Sequence, residues 1–139
     1  MALITICAQT ACVKVHVGYI EHDKMEAQHQ IDVFHQRLEK GEFDAIISDA
    51  DDGFRNSANR ETMIASMRET KQRWGNVKAV TFRVTNVLDD RSPVEVRAVY
   101  NTTFEKGDAT ELFTFVLRGD QQKLAFFNIS PGTKRPTGM

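Results

Sequence analysis

Cysteine, proline, long apolar runs and any excess of one charge are all scarce in this chain. It holds two cysteines and three prolines in 139 residues. The cysteines, Cys7 and Cys12, match no four-ligand zinc pattern, because no second pair exists. No apolar stretch is long enough to span a bilayer. With 18 basic and 19 acidic residues scattered along the chain the net charge is −1, and no basic run offers a footprint for a nucleic-acid backbone. Gly-x-Ser-x-Gly, a phosphate loop and a dinucleotide fingerprint are likewise missing. Ser48 and Ser57 therefore have no motif to make them nucleophiles.

What remains is enough for one domain whose core needs neither a disulfide nor a metal. The first 21 residues stand apart as an N-terminal segment. Leu3, Ile4, Ile6, Cys7 and Ala8 form a short apolar run that ends in Gln9-Thr10-Ala11-Cys12. Ala11 before Cys12 resembles the cut site of a bacterial lipoprotein signal, with Cys12 as the lipidated residue. Gln9 and the missing basic leader depart from that pattern. The alternative is an edge strand.

Residues 22–130 read as an α+β domain, three helices followed by a four-stranded meander. Ala27, Ile31, Phe34 and Leu38 recur at spacings of four, three and four, which predicts a helix over 22–40 that Gly41 ends. A second helix is predicted over 42–54 and a third from Ser57 or Asn59 to Trp74. The strands then alternate. Val80, Phe82 and Val84, then Val96, Ala98 and Tyr100, then Phe113, Phe115, Leu117, Leu124 and Phe126 compose one apolar face that must pack on the helices. Closing the middle hairpin with Glu105 opposite Asp108 sets Tyr100 against Phe113 and Ala98 against Phe115. The last turn sets Phe115 against Phe126.

On the opposite face Thr81, Arg83, Thr85, Arg97 and Asn101 are polar, whereas Val99, Leu112, Val116, Ala125, Phe127 and Ile129 form an apolar half. That half predicts a homodimer through the outer sheet face. The competing reading covers it with a helix or with an N-terminal strand containing Val13, Val15 and Val17. Residues 131–139, with two prolines and two glycines, are predicted to be a disordered tail.

Helices first and a curved meander last resembles the nuclear transport factor-like superfamily, a cone-shaped α+β fold grouped with cystatin-like folds. The resemblance runs from Met25 to Ser130. It is carried by Leu38-Glu39-Lys40-Gly41-Glu42-Phe43-Asp44, Phe54-Arg55, Trp74-Gly75, the stretch from Tyr100 to Gly107, and Glu111 to Phe115. It points to small bacterial secreted or lipid-anchored proteins of unknown function. It carries over no catalytic set.

Four polar residues interrupt the apolar strand face: Tyr100, Thr102, Glu111 and Asn128. Each needs a partner there. Together they outline a small apolar-ligand pocket at the cone mouth, with Tyr100 and Asn128 as hydrogen-bonding groups and Glu111 as the acid or base of a rival isomerase- or dehydratase-like enzyme. His35 lies beside the stripe of the first helix as a core-rim residue. Glu26 with His29, and His35 with Glu39, have metal-pair spacing, but a di-metal bundle needs a second such helix. No metal or cofactor is predicted. Asp44, Asp49, Asp51 and Asp52 lack the spacing of a calcium loop and read as a solvated helix end. The function these features favour is a non-enzymatic binding or assembly module of the bacterial cell envelope, periplasmic or lipid-anchored. Without a signal it would be cytoplasmic.

Overall fold

The computed structural model describes residues 4–57 and 59–132, with side chains from residue 20 onward, Ser57 excepted. Four helices precede one open, curved sheet: α1 (Ile4–Lys40), α2 (Phe43–Asp49), α3 (Asp52–Ser57) and α4 (Arg60–Trp74), then β1 (Val77–Leu88), β2 (Glu95–Phe104), β3 (Gly107–Arg118) and β4 (Gln121–Pro131). The strands pair antiparallel in chain order.

The first helix starts at Ile4 rather than His22, so the backbone that includes Val13, Val15 and Val17 is helical and no N-terminal strand forms. The side chain of Cys12 and residues 133–139 lie outside the described part, and so do the lipidation site and most of the predicted tail. From Ala27 onward the stripe behaves as its spacing demands: Ala27, Ile31, Phe34 and Leu38 are all buried. Gly41, at φ +74°, lets the chain turn back so that the Glu42 amide donates to Arg37 O at 2.8 Å.

The predicted second helix is two. Asp51 is drawn out of it by the sheet, since its amide donates to Leu124 O at 2.9 Å and its carboxylate accepts from Arg118 Nε at 2.8 Å and from the Gly53 amide. A residue that bonds across to β4 cannot also continue the i→i−4 ladder, so α2 stops and α3 starts again beyond it. The other three aspartates of this stretch are ion-paired separately, Asp44 with Arg60, Asp49 with Arg37 and Asp52 with Arg55. Asp51 is buried, which departs from the solvated end read from sequence.

Between β2 and β3 the alternation holds, with a two-residue offset from the predicted pairing. Phe104 faces Gly107, so Tyr100 faces Glu111, Ala98 faces Phe113 and Val96 faces Phe115. The tip is set by its dock: the amides of Glu105 and Lys106 donate to Asn76 O and Trp74 O at 2.9 and 3.1 Å, which confines both residues to the turn. An even offset keeps every side chain on its face.

The edge strands do not keep theirs. In β4 the pairing jumps at Ala125, so that Thr114 faces Phe126 while Phe115 faces Leu124. Phe126 turns outward and Phe127 inward, against Phe34 at 4.9 Å between ring centroids. Ile129 joins a second small cluster around Trp74, Phe104 and Ala109. In β1 two jumps, around Lys78 and Thr81, put Arg83, Thr85 and Val87 on the inner side and leave Phe82 and Val84 outside, 52% and 37% exposed. The single inner face predicted from Val80, Phe82, Val84 and Phe126 is thus broken at both edges. So is the predicted outer set, which loses Phe127 and Ile129.

Candidate functional site

A carboxylate inside an apolar layer must find partners or stay neutral. Glu111, on the inner face of β3 and 1% exposed, finds two. His35 Nε2 sits 3.0 Å from Oε1 and 2.9 Å from Oε2, and Thr102 Oγ1 donates to Oε1 at 2.6 Å. His35 projects from the buried side of α1 between Phe34 and Leu38. Its ring is edged by Phe34, Phe104 and Phe113 at centroid distances of 6.1, 6.3 and 6.1 Å. The pairing register places Thr102 diagonally from Glu111, two residues along β2 from its direct neighbour Tyr100. Helix and sheet are therefore tied by one buried polar cluster at the centre of the aromatic core.

Tyr100 belongs to the same neighbourhood and behaves differently. The side chain is fully buried and its hydroxyl has no hydrogen-bond partner among the described residues. Burial pushes the phenol up to about 12, against the pull of the Arg83 guanidinium and with smaller upward contributions from the Asp32 and Glu111 carboxylates. Arg83 lies over the ring at 5.5 Å, a position it reaches only because of the β1 bulges. The phenol stays protonated at neutral pH.

Of the four residues singled out in the sequence, the structure brings together Tyr100, Thr102 and Glu111. Asn128 is exposed on the other side of the β4 jump, facing Leu112, beside a groove of about 220 Å³ between α4 and β4. The bulge at Ala125 moved it. His35 is the residue that sequence reasoning placed at the rim and the structure places at the centre. A signal for it existed: an inward glutamate demands a donor, and His35 is the ionisable side chain that borders the apolar stripe of α1.

Chemically this cluster is closed. Both carboxylate oxygens are engaged, and general acid–base work needs one of them within hydrogen-bond reach of a substrate. Among the described residues, surface clefts of about 30, 220 and 390 Å³ are walled by residues outside this cluster. No group of three His, Cys, Asp or Glu side chains among the described residues is placed to hold a metal ion. Among the described residues no helix is long and apolar enough to cross a membrane.

No family model and no curated protein matches the chain. Among solved structures it is similar to Bd1075 of Bdellovibrio bacteriovorus, with a TM-score of 0.52 and 15% identity over 83% of this chain. The chain spans 43% of that protein's length, and the likeness is one of fold.

Proposed function

We propose that the chain is a non-enzymatic binding or assembly module that works through the outer face of its sheet and pairs there with a second copy of itself. The observation that carries this reading is the exposure of Phe82, Val84 and Phe126 on one face, at 52%, 37% and 49%, with Val99 and Leu112 bridging them across β2 and β3. Large apolar side chains gathered on one side of a sheet mark a contact surface. Four strands of this length present roughly 600–700 Å² of face, close to the ~800 Å² per partner of a standard interface.

Charge supports the same occupant. The net charge of −1 gives two copies little reason to repel.

The rival, a small isomerase- or dehydratase-like enzyme using Glu111 and Tyr100, is disfavoured by the closure of the Glu111 cluster. A site in the bacterial cell envelope rests on the Ala11-Cys12 pattern and is tested by the intact mass of the protein from its host. The assembly reading is tested by sedimentation equilibrium of the full chain. The native protein should dimerise in the micromolar range and Phe82→Glu with Phe126→Glu should be monomeric at the same concentrations, with an unchanged far-ultraviolet spectrum. A native chain that stays monomeric at several hundred micromolar would overturn the proposal.

A further inference from the structure

The sheet is open at both sides, and its two edges differ in what they offer a partner. An unpaired strand edge presents a row of main-chain donors and acceptors to whatever extended chain reaches it. In β1 the jumps around Lys78 and Thr81 break that row in two places. Beyond its jump at Ala125, β4 runs in unbroken register from Phe126, opposite Thr114, to Pro131, opposite Ala109.

The direction of each main-chain group in this stretch follows from a bond further along β3. The Leu117 amide donates to Val94 O at 3.0 Å, on the β2 side, so Phe115 and Phe113 also turn their groups to β2, while Thr114, Leu112 and Thr110 turn theirs to β4. Phe126, Asn128 and Ser130 are thereby spent on β3. Phe127 and Ile129, between them, turn N–H and C=O to the open side, where no described residue bonds them. Two stops bound the pair: the Asp51 amide takes Leu124 O at 2.9 Å, and Pro131 has no N–H. Along this open stretch lies the groove of about 220 Å³, with α4 as its second wall and the buried Thr70 and Trp74 on its inner side. The Phe127 and Ile129 side chains turn to that same inner layer.

We infer that the groove between β4 and α4 binds a short extended peptide, which adds antiparallel to β4 as a fifth strand through the N–H and C=O groups of Phe127 and Ile129. Only an extended chain meets donors and acceptors spaced two residues apart along an edge. The peptide side chains opposite Phe127 and Ile129 then face inward toward Thr70 and Trp74, which favours uncharged β-branched residues at those two positions. A second copy of the edge is disfavoured, because α4 already lines the open side of β4 and a two-fold pairing of β4 with its equivalent would bring the second α4 onto the first. The contact uses none of Phe82, Val84 and Phe126, so it stands or falls apart from the assembly reading.

The test is a titration of the ¹⁵N-labelled full chain with a capped Thr-Val-Thr-Val-Thr peptide in three forms: unmodified, N-methylated at both valines, and N-methylated at the central threonine. In the free chain the Phe127 and Ile129 amides should exchange with solvent faster than those of Phe126 and Asn128, and the unmodified peptide should shift them saturably and slow that exchange. The valine N–H groups point at β4 in the antiparallel pairing and that of the central threonine points at solvent. Methylated valines should therefore weaken binding at least about tenfold, and the methylated threonine by less than about threefold. Ile129→Pro removes one edge donor without touching a bond to β3 and should weaken the unmodified peptide about fivefold. If that variant fails to fold, the two methylated peptides on the native chain decide. Equal affinity for those two, shifts that do not saturate, or exchange of the Phe127 and Ile129 amides that slows on concentrating the chain without peptide overturns the inference.

Discussion

The two edge strands carry the same kind of defect and use it in opposite directions. In β4 the jump at Ala125 improves burial on balance: Phe127 replaces Phe126 inside, Ile129 joins it, and Asn128 and Ser130 go out. Continued alternation would have buried the two polar residues and exposed the two apolar ones, so the extra residue is stabilising. In β1 the jumps do the reverse. Phe82 and Val84 are turned to the outside while Arg83 and Thr85 take the inner positions, Thr85 with a buried hydroxyl that lacks a partner among the described residues. A bulge that works against burial within one chain makes sense when the exposed side has an occupant, and β1 supplies two of the three exposed side chains of the assembly reading.

Both edges are read against central strands held in one register, so the strongest challenge is to loosen the centre. Removing one member of a buried hydrogen-bonded pair leaves the other charge or dipole uncompensated. His35→Ala should destabilise the chain by about 3–5 kcal/mol in urea unfolding. Glu111→Gln keeps the shape and an acceptor for Thr102 and should cost less. If His35→Leu combined with Glu111→Met restores most of the loss, the cluster is a tie between α1 and the sheet. A double variant as unstable as His35→Ala would instead mean that the aromatic cage around His35 cannot repack.

The β4 half of the comparison is sharpened by two neighbours. Phe127→Ala should cost about 2–3 kcal/mol, less than a fully buried phenylalanine, because the side chain is only partly buried against Phe34 and Phe113. Phe126→Ala should change stability by no more than about 0.5 kcal/mol when measured at concentrations that keep the chain monomeric. Reversed costs would restore the uninterrupted alternation that the residue pattern suggests and remove the bulge.

That reversal is also the measure of how much was legible beforehand. The helical stripe of α1, the helices-then-meander order and the facing of β2 and β3 follow from periodicity, since each apolar residue there keeps its face from end to end. The edges were not legible because no glycine or proline inside β1 or β4 marks a bulge. A single extra residue reverses every assignment beyond it. Tyr100, Thr102 and Glu111 could be found because polar residues on an apolar face stand out, and Asn128 was lost to the Ala125 jump. His35 was missed for a different reason: its partner is 76 positions away and only tertiary packing brings them together.

The smallest effect concerns the seam where β4 meets the break between α2 and α3. Hydrogen bonds from Arg118 hold the Asp51 carboxyl below its usual range, more than burial raises it. A carboxyl with a depressed folded-state pKa binds its proton more readily unfolded. Its contribution is therefore fully present above the ordinary value of 3.8 and is lost as pH falls through the lower, folded value. Asp23 runs the other way. Desolvation raises its carboxyl despite the nearby His22, so its contribution favours the folded chain in acid and fades as pH rises past 3.8. The native melting temperature should therefore decline below about pH 4, where Asp51 is the group losing its advantage. Asp51→Asn should flatten that acid limb while leaving the neutral-pH profile parallel to the native one. An acid limb equally steep in the variant would mean that the Arg118 contact does not hold Asp51 ionised, and that at this seam the Asp51 amide on the Leu124 carbonyl, not the ion pair, fastens β4.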